Sequence, residues 1–243
     1  MEIALITGAS RGLGLALAQA LADRGYGLAI DARGSDDLEA ARASLALRTA
    51  VTAVAGDVAD PAHREQLVAA AVRMGRLRLL VNNASVLGPS PQPDLDAYPL
   101  ELLDAVYRIN VLAPLGLIQL ALPALAAAGG AVLNITSDAA VENYPGWGGY
   151  GSSKAALEQL SNVLAAEHPG LRIYWVDPGD MRTQMHQDAF PGEDISDRPP
   201  PEDSVPALLA LLEGDLASGR YRAGDLPSGR YRARELDRTE AAA

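Results

Sequence analysis

The chain has 243 residues, of which 49% are hydrophobic, so it is long enough to bury one sizeable core in a single domain. Its formal net charge of -11 argues against nucleic acid and anionic membranes as partners, because both attract basic surfaces. The absence of cysteine excludes a disulfide framework, a thiolate metal site and a cysteine nucleophile.

The first residues, MEIALITGAS, read as a strand and leave no room for a signal peptide. No apolar run reaches the roughly 18 residues that suggest a membrane span. The histidines and carboxylates show no metal-ligand pattern. We therefore expect a cytoplasmic protein with no membrane partner and no metal, which acts on small molecules.

Short apolar strands alternate with helices along the chain. The predicted strands lie at 2–7, 26–32, 51–56, 77–84, 130–136, 171–177 and 218–223. The predicted helices lie at 13–25, 35–47, 61–75, 100–125, 150–168 and 204–214. This alternation indicates an α/β fold: a doubly wound parallel sheet of about seven strands, with helices on both faces. Ligands in such folds bind at the carboxyl ends of the strands.

The turn after the first strand carries the sequence TGASRGLG, residues 7–14. Gly8, Gly12 and Gly14 permit a tight turn, close approach of the backbone to a diphosphate and close packing of helix on strand. The helix N-terminus adds free N–H groups and a positive dipole end. The turn predicts a dinucleotide site, although a chain with 23 glycines reaches such a spacing easily.

The end of the second strand, IDARG, bears on the choice of cofactor. We place Ala32 at the position where NAD-binding folds carry an acidic residue, with Arg33 beside it and Arg11 within reach of the same phosphate. Two guanidinium groups suit a phosphate dianion, which favours NADP(H) over NAD(H). A register slip of one residue would instead make Asp31 the acidic selector, and the arginines could also be ordinary surface charges.

The chain contains 20 basic residues, and Lys154 is the only lysine among them. Tyr150 and Lys154 are four residues apart at the start of a predicted helix, so both project from one face. A nearby ammonium group favours the phenolate, which would bring the tyrosine pKa closer to neutral and suit it to general acid/base work.

Four motifs now agree in order and spacing: TGASRGLG at 7–14, NNA at 82–84, Ser137 thirteen residues before Tyr150, and DPG at 177–179. With these motifs the chain resembles the short-chain dehydrogenase/reductases over nearly its full length. The resemblance implies a Rossmann-like fold, a nicotinamide cofactor and hydride transfer between that cofactor and a small-molecule carbonyl or alcohol. It also implies a homodimer or homotetramer built on the two long helices.

The resemblance implies roles for individual residues. Tyr150 would donate or accept the proton, Ser137 would hold the substrate oxygen, Lys154 would bind the nicotinamide ribose and lower the tyrosine pKa, and Asn110 would support a water-linked proton relay. The implied cofactor-binding residues are Gly8, Ser10, Arg11, Gly12, Leu13, Gly14, Arg33, Asp57, Val58, Asn83, Ala84, Tyr150, Lys154, Pro178, Gly179 and Thr183.

Some residues have simpler interpretations. Ser137 could have the purely structural role of capping the end of a strand, and Asp57 could be no more than a turn residue. We interpret His63 as a surface residue of a helix. Asn110 sits in mid-helix, and Pro114, four residues on, removes the donor to its carbonyl, so we expect a functional role or a kink there.

Two features depart from the family pattern. Ser85 stands where the family usually has glycine after NNA, which matters if that position needs a positive φ. The hexapeptide SGRYRA occurs at 218–223 and again at 228–233. We assign the first copy to the last strand and the oxidoreductase domain to 1–227, and we interpret 228–243 as a polar tail that is not needed for cofactor binding.

The substrate is not specified by these motifs. We expect 181–203 to form a lid, and we expect apolar pocket walls from Val86, Leu87, Trp147, Met181, Met185 and Phe190, suited to a hydrophobic carbonyl compound. Two alternatives stay open: a non-catalytic protein of the same fold that senses the cofactor or serves in an assembly, and a sugar-nucleotide epimerase. The roughly 65 residues after Gly179 are few for the second.

Overall fold

A computed structural model of the protein describes residues 1–226. The strands are β1 (Glu2–Ile6), β2 (Gly27–Ala32), β3 (Val51–Ala55), β4 (Arg76–Asn82), β5 (Ala131–Ile135), β6 (Arg172–Asp177) and β7 (Gly219–Arg222). The helices are α1 (Gly12–Ala22), α2 (Ser35–Leu45), α3 (Pro61–Met74), α4 (Leu100–Tyr107), α5 (Ala113–Ala128), α6 (Gly148–Glu167), α7 (Gln184–Ala189) and α8 (Val205–Glu213). The second SGRYRA copy at 228–233 lies outside the described residues.

The seven strands form one parallel sheet in the order β3-β2-β1-β4-β5-β6-β7. The predicted doubly wound α/β fold is confirmed, and the first SGRYRA copy supplies β7. The chain builds outwards from β1 through β2 and β3, then returns to add β4 on the other side. The strand order therefore reverses between β1 and β4, which is where such folds bind ligands.

Residues of each central strand alternate between two apolar cores. Ala4 and Ile6 of β1 pack with α1, α2 and α8 on one face of the sheet. Ile3 and Leu5 pack with α3 and α5 on the other. Because successive side chains of a strand point to opposite faces, the part of a strand that is buried on both sides must be apolar, as residues 3–6 of β1 are.

The predicted helix over 100–125 is α4 and α5, joined by a π-helical turn at Arg108–Leu112. Pro114 has no N–H to donate to the carbonyl of Asn110, and the wider turn brings the Ala113 N–H to the carbonyl of Arg108 instead. The helix is therefore distorted locally around Asn110, in the form of a π-helical turn.

The segment Leu100–Ala128 is long and apolar enough to cross a membrane by length and composition. In this fold Leu117, Ile118, Ala121 and Leu125 on α5 are buried against the sheet. The buried apolar face of α5 therefore belongs to the core of the α/β fold.

Buried amides fix α6 against the centre of the sheet. Asn82 of β4 donates to the side-chain oxygen of Asn134 on β5 at 2.7 Å, and Asn134 donates to the Ser161 hydroxyl on α6 at 2.8 Å. Together these bonds hold α6, which carries Tyr150 and Lys154, in register with the carboxyl ends of β4 and β5.

Candidate active site

A cavity of about 690 Å³ opens at the carboxyl edge of the sheet. The segments that follow β1, β2, β4, β5 and β6 all contribute to its lining, as does α6. A smaller adjoining cavity reaches Asp57 and Val58 after β3. The site therefore lies where the doubly wound topology places ligands.

The glycine-rich turn has little space for side chains. Gly8 has φ +64°, and a Cβ there would lie 2.9 Å from the Cα of Ala84. A Cβ on Gly14 would collide with the carbonyl oxygen of Gly8. Arg11, at the N-cap of α1, makes no side-chain capping bond, so its side chain does not occupy the donors of the first turn. The turn offers backbone N–H groups to an anion, and so fits a diphosphate.

Thr7 and Asn83 brace this turn against the end of β4. The Thr7 hydroxyl accepts the N–H groups of Asn83 and Ala84, both at 3.0 Å. The Asn83 amide donates to the carbonyl oxygens of Thr7 at 2.9 Å and Gly8 at 3.1 Å. Asn83 was expected to lie on the adenosine side of the cofactor site, and its amide hydrogens are used to hold the glycine turn in place.

The residues predicted to contact the cofactor phosphates line the larger cavity from two sides. Ser10, Arg11, Gly12 and Leu13 line it from the glycine turn, and Ala32 and Arg33 line it from the end of β2. Both arginine side chains are exposed. Their guanidinium groups can therefore turn towards a bound phosphate.

Asp31 points into the protein instead. Its side chain is 1% exposed, and its two carboxylate oxygens accept the Gly8 N–H at 2.9 Å and contact Nε2 of His63 at 3.0 Å. Burial raises the pKa of Asp31 above its usual range, and the hydrogen bonds from His63 and Gly8 oppose this rise. This carboxylate supports the glycine turn and lies at the smaller cavity, whereas it does not line the larger one.

The interpretation of His63 as a surface residue is wrong. Its ring is 5% exposed and packs so closely against Gly56 that a Cβ there would overlap Nδ1. His63 thus connects two loops of the cofactor region, the glycine turn through Asp31 and the segment after β3 through Gly56. The position of His63 in a polar helical stretch gave no sign of this partner, which lies 32 residues earlier in the chain.

Asp57 and Val58 lie in the segment between β3 and α3 and line the smaller cavity. The carboxylate of Asp57 accepts the Ala59 N–H at 2.8 Å, which gives it a turn-forming role. Because its side chain is also exposed beside the cavity, it remains available to a ligand.

Ser137, Tyr150 and Lys154 lie together at the inner end of the larger cavity. Tyr150 and Lys154 are 8% and 2% exposed, and the ammonium nitrogen lies 5.5 Å from the centre of the phenol ring. The ammonium group donates to the carbonyl oxygen of Ile135 at 2.8 Å. Ser137 also caps a short 3₁₀ turn by accepting the Ala139 N–H at 3.1 Å. The same side chain therefore caps this turn and lines the cavity.

The electrostatics of the pair differ from the sequence-based expectation. Burial raises the pKa of Tyr150 above its usual range, and the charges of Asp138 and Asp177 add to this rise. A hydrogen bond from Ser137 or Ser85 to the phenolate would lower it. Burial lowers the pKa of Lys154 to about 8. Burial is the largest effect on both groups in the protein alone, and it opposes the expected lowering of the tyrosine pKa by Lys154.

Asn110 organises the segment after β4. Its side-chain oxygen accepts the Ser85 hydroxyl at 3.0 Å and the Val86 N–H at 2.9 Å. Its amide donates to the Val86 carbonyl at 2.9 Å and the Ser153 hydroxyl at 3.0 Å on α6. The Asn110 side chain is thus fully used in hydrogen bonds within the protein, and Pro114 has no N–H to donate to its backbone carbonyl.

Ser85 adopts a negative φ, since every non-glycine residue in the described part of the chain does. The departure from glycine thus causes no backbone strain, and its hydroxyl adds a hydrogen bond to Asn110.

The segment after β6 closes over the other side of the cavity. Pro178, Gly179 and Thr183 all line it, and Thr183 caps α7 by accepting the His186 N–H at 3.3 Å. The lid was predicted without secondary structure, whereas it contains the short helix α7. Val86, Leu87, Trp147, Met181 and Met185 line the cavity as expected, and Phe190 packs against the Trp147 ring.

Sequence reasoning did not identify His63, Ser153 or Asp138 as members of this region, and it did not foresee the hydrogen bonds of Thr7 and Ser85. The burial of Asp31 could have been inferred from the sequence, because Asp31 is the one polar residue in the otherwise apolar strand GLAIDA. Within residues 1–226, no group of three or more His, Asp or Glu side chains could hold a metal ion.

The sheet order and the position of the cavity define a nucleotide-binding α/β protein. Residues 2–194 match the family model of the short chain dehydrogenases. The chain is 34% identical to 2-(R)-hydroxypropyl-CoM dehydrogenase from Xanthobacter autotrophicus, with 76% of this chain and 77% of that one covered. It is 32% identical to sepiapterin reductase from Mus musculus, with 76% of each covered.

A similar solved structure is the alcohol dehydrogenase from the archaeon Thermococcus sibiricus complexed with 5-hydroxy-NADP. The TM-score is 0.83 at 30% identity, and the match covers 91% of this chain and 95% of that one. The chain belongs to the short-chain dehydrogenase/reductase family. It is an oxidoreductase that acts on alcohol or carbonyl groups with a nicotinamide cofactor.

Proposed function

We propose that the protein is an NADP(H)-dependent oxidoreductase that interconverts a carbonyl compound and a secondary alcohol, with Tyr150 as the general acid/base. The observation that carries this proposal is the convergence of Ser137, Tyr150 and Lys154 on the cavity that the glycine turn and two arginines also line. The 5-hydroxy-NADP in the Thermococcus sibiricus relative agrees with the cofactor assignment.

A nicotinamide held in this cavity would supply or accept the hydride at the substrate carbon. In the reducing direction Tyr150 donates its phenolic proton to the carbonyl oxygen, so the product is the alcohol and the tyrosine becomes a phenolate. Ser137 positions the substrate oxygen beside the phenol. Lys154 keeps two N–H donors beyond its bond to Ile135, which suit the hydroxyl groups of the nicotinamide ribose, and its positive charge stabilises the phenolate.

The cofactor preference follows from the exposed guanidinium groups of Arg11 and Arg33. We expect NADPH to bind more tightly than NADH in parallel fluorescence titrations. Arg33→Ala should weaken NADPH binding by about tenfold or more, because a charge-assisted bond to the 2'-phosphate is lost, and should leave NADH binding nearly unchanged. Arg73→Ala, which removes an exposed arginine of α3, is the matched control. A preference for NADH would contradict the proposal and would favour the alternative in which Asp31 is the acidic residue that selects NAD(H).

Catalysis by Tyr150 is tested with Tyr150→Phe. This variant should keep NADPH affinity and lose about 100-fold or more in turnover of any aldehyde or ketone that the wild type reduces in a panel of such compounds. Tyr107→Phe on α4 is the control for loss of a tyrosine hydroxyl elsewhere. Equal turnover in Tyr150→Phe and wild type would contradict the assigned role, and binding of cofactor without any turnover would favour a non-catalytic sensor.

The apolar lining from Leu87, Trp147 and Met185 favours a substrate with a hydrophobic body next to its carbonyl group. We place the protein in the cytoplasm. The oxidoreductase domain is assigned to 1–227, and the tail to 228–243.

A further inference from the structure

Asp138 follows Ser137 directly at the carboxyl end of β5, and its carboxylate is hydrogen-bonded on both oxygens. Oδ1 accepts the Ser137 hydroxyl proton at 2.9 Å and the Ala139 N–H at 2.8 Å. Oδ2 accepts the Tyr144 hydroxyl proton at 3.0 Å. The side chain is half-buried and lines the same cavity as Tyr150. A carboxylate fixed by three hydrogen bonds therefore lines the same cavity as the proposed proton donor.

The hydrogen-bond direction at Ser137 follows from these contacts. A serine hydroxyl has one proton to donate and two lone pairs with which to accept. Ser137 donates its proton to Asp138 and accepts the Ala139 N–H at 3.1 Å. In this arrangement one lone pair remains, which can accept the Tyr150 proton, and Ser137 can stabilise a phenolate only when its own proton turns away from Asp138.

We propose that Asp138 is a positioning residue that keeps Tyr150 protonated, by holding the Ser137 proton away from the phenol and by placing a negative charge beside it. The site is thereby set as a proton donor, which is the form that carbonyl reduction requires. This inference rests on the proposed role of Tyr150 and adds the residue that sets its resting protonation state.

Other charged groups also lie around the phenol, and Asp138 has to be separated from them. Lys154 lies on α6, and Asp180 and His186 lie in the lid. Asp177 lies at the end of β6, where its Oδ2 is 3.6 Å from Nε of Arg222. Arg220 pairs with Glu158 and also donates to the Ser137 carbonyl oxygen. After burial and the Ser137 hydrogen bond, the charge of Asp138 is the next largest influence on the pKa of Tyr150, ahead of that of Asp177. Removing the Asp138 charge should therefore have an effect while all the other groups stay in place.

The test is a spectroscopic titration of the tyrosine that needs neither cofactor nor substrate. Phenolate absorbance is measured against pH for the wild type and for Asp138→Asn, each compared with the same protein carrying Tyr150→Phe, so that the difference reports Tyr150 alone. Asp138→Asn keeps the shape and an acceptor for the Ala139 N–H. Asp138→Glu keeps the charge, and Tyr144→Phe removes the hydroxyl that Oδ2 accepts while leaving the carboxylate in place.

We expect the Tyr150 midpoint of Asp138→Asn to fall by about one pH unit, because a negative charge near the phenolate is lost and a neutral amide oxygen competes less strongly than a carboxylate for the Ser137 proton. Asp138→Glu and Tyr144→Phe should not show this fall. If the midpoints lie too high to reach, the phenolate fractions are compared at the highest pH at which all variants keep the native circular dichroism spectrum, and that of Asp138→Asn should be the largest.

An unchanged or higher midpoint in Asp138→Asn, or an equal fall in Asp138→Glu, would overturn the inference. The titration does not involve turnover, so its results are independent of the turnover rates measured for Tyr150→Phe. The two proposals can therefore fail separately.

Discussion

Asp31 and His63 place a carboxylate and an imidazole in the interior beneath the glycine turn, where both are almost fully shielded from water. A buried carboxylate is costly unless hydrogen bonds compensate for its lost hydration. Here the Gly8 N–H and Nε2 of His63 do so. The stability of the fold and the shape of the cofactor turn thus depend on the same two side chains.

We predict that His63→Leu lowers the free energy of unfolding by about 2 kcal/mol, because it leaves Asp31 buried with one partner fewer. It should also weaken NADPH and NADH binding by similar factors, since the turn at Gly8 serves both cofactors. Urea unfolding and fluorescence titration measure the two effects. In an Asp31→Asn background the cost of His63→Leu should shrink, because no charge is left to compensate, and an undiminished cost would contradict this explanation.

Lys154 links stability to pH through its buried ammonium group. Its pKa is lowered from 10.5 to about 8, so between these values the unfolded chain holds a proton that the folded protein has released. Stability from this group therefore rises with pH across that window. We predict that, from pH 8 to 10, wild type gains on the order of 2 kcal/mol relative to Lys154→Met. Parallel slopes of unfolding free energy against pH would contradict the burial of the charge.

At the scale of elements, the close approach of α1 to the end of β1 explains why glycine is needed at position 14. A Cβ there would overlap the Gly8 carbonyl oxygen and the Asn83 amide that braces the turn. Overpacking of this kind costs about 1–3 kcal/mol.

We predict that Gly14→Ala weakens NADPH binding by about tenfold, because the turn must shift to admit the methyl group. Gly170→Ala is the matched control, since a Cβ at Gly170 meets nothing within 4 Å. Equal affinities of the two variants would mean that the turn tolerates the shift.

The strand and helix pattern was predictable because a strand buried on both faces has to be apolar along its whole length, as GLAIDA nearly is. The site residues at strand ends were predictable for the same topological reason. The π-helical turn could be predicted only in part. Pro114 indicated that one helical hydrogen bond would be missing, but packing decides how the helix accommodates that loss. The Asp31–His63 pair and the Ser137–Asp138 bond were out of reach, because side-chain direction and burial decide them, not residue type.

At the scale of the whole molecule, β7 pairs with β6 through the first SGRYRA copy, with Tyr221 opposite Val176. The sheet therefore has its seventh strand without the second copy. We predict that removing residues 228–243 leaves NADPH affinity and the thermal unfolding midpoint unchanged. A large loss of either in the truncated protein would assign a structural role to the second copy.

The outer surface of the helical segment Leu100–Ala128 and of α6 carries apolar side chains that the described chain does not cover. Leu112, Leu120 and Val163 are 55%, 40% and 43% exposed. Large apolar residues exposed on the two long helices favour burial against a second copy. We predict a dimer or tetramer by light scattering and a shift towards monomer in Leu112→Glu, because a charge in such an interface would lose its hydration. Leu47→Glu, at an 89% exposed leucine after α2, is the control and should not change the mass. A wild-type monomer would contradict the expected assembly and would mean that this apolar surface stays in contact with solvent.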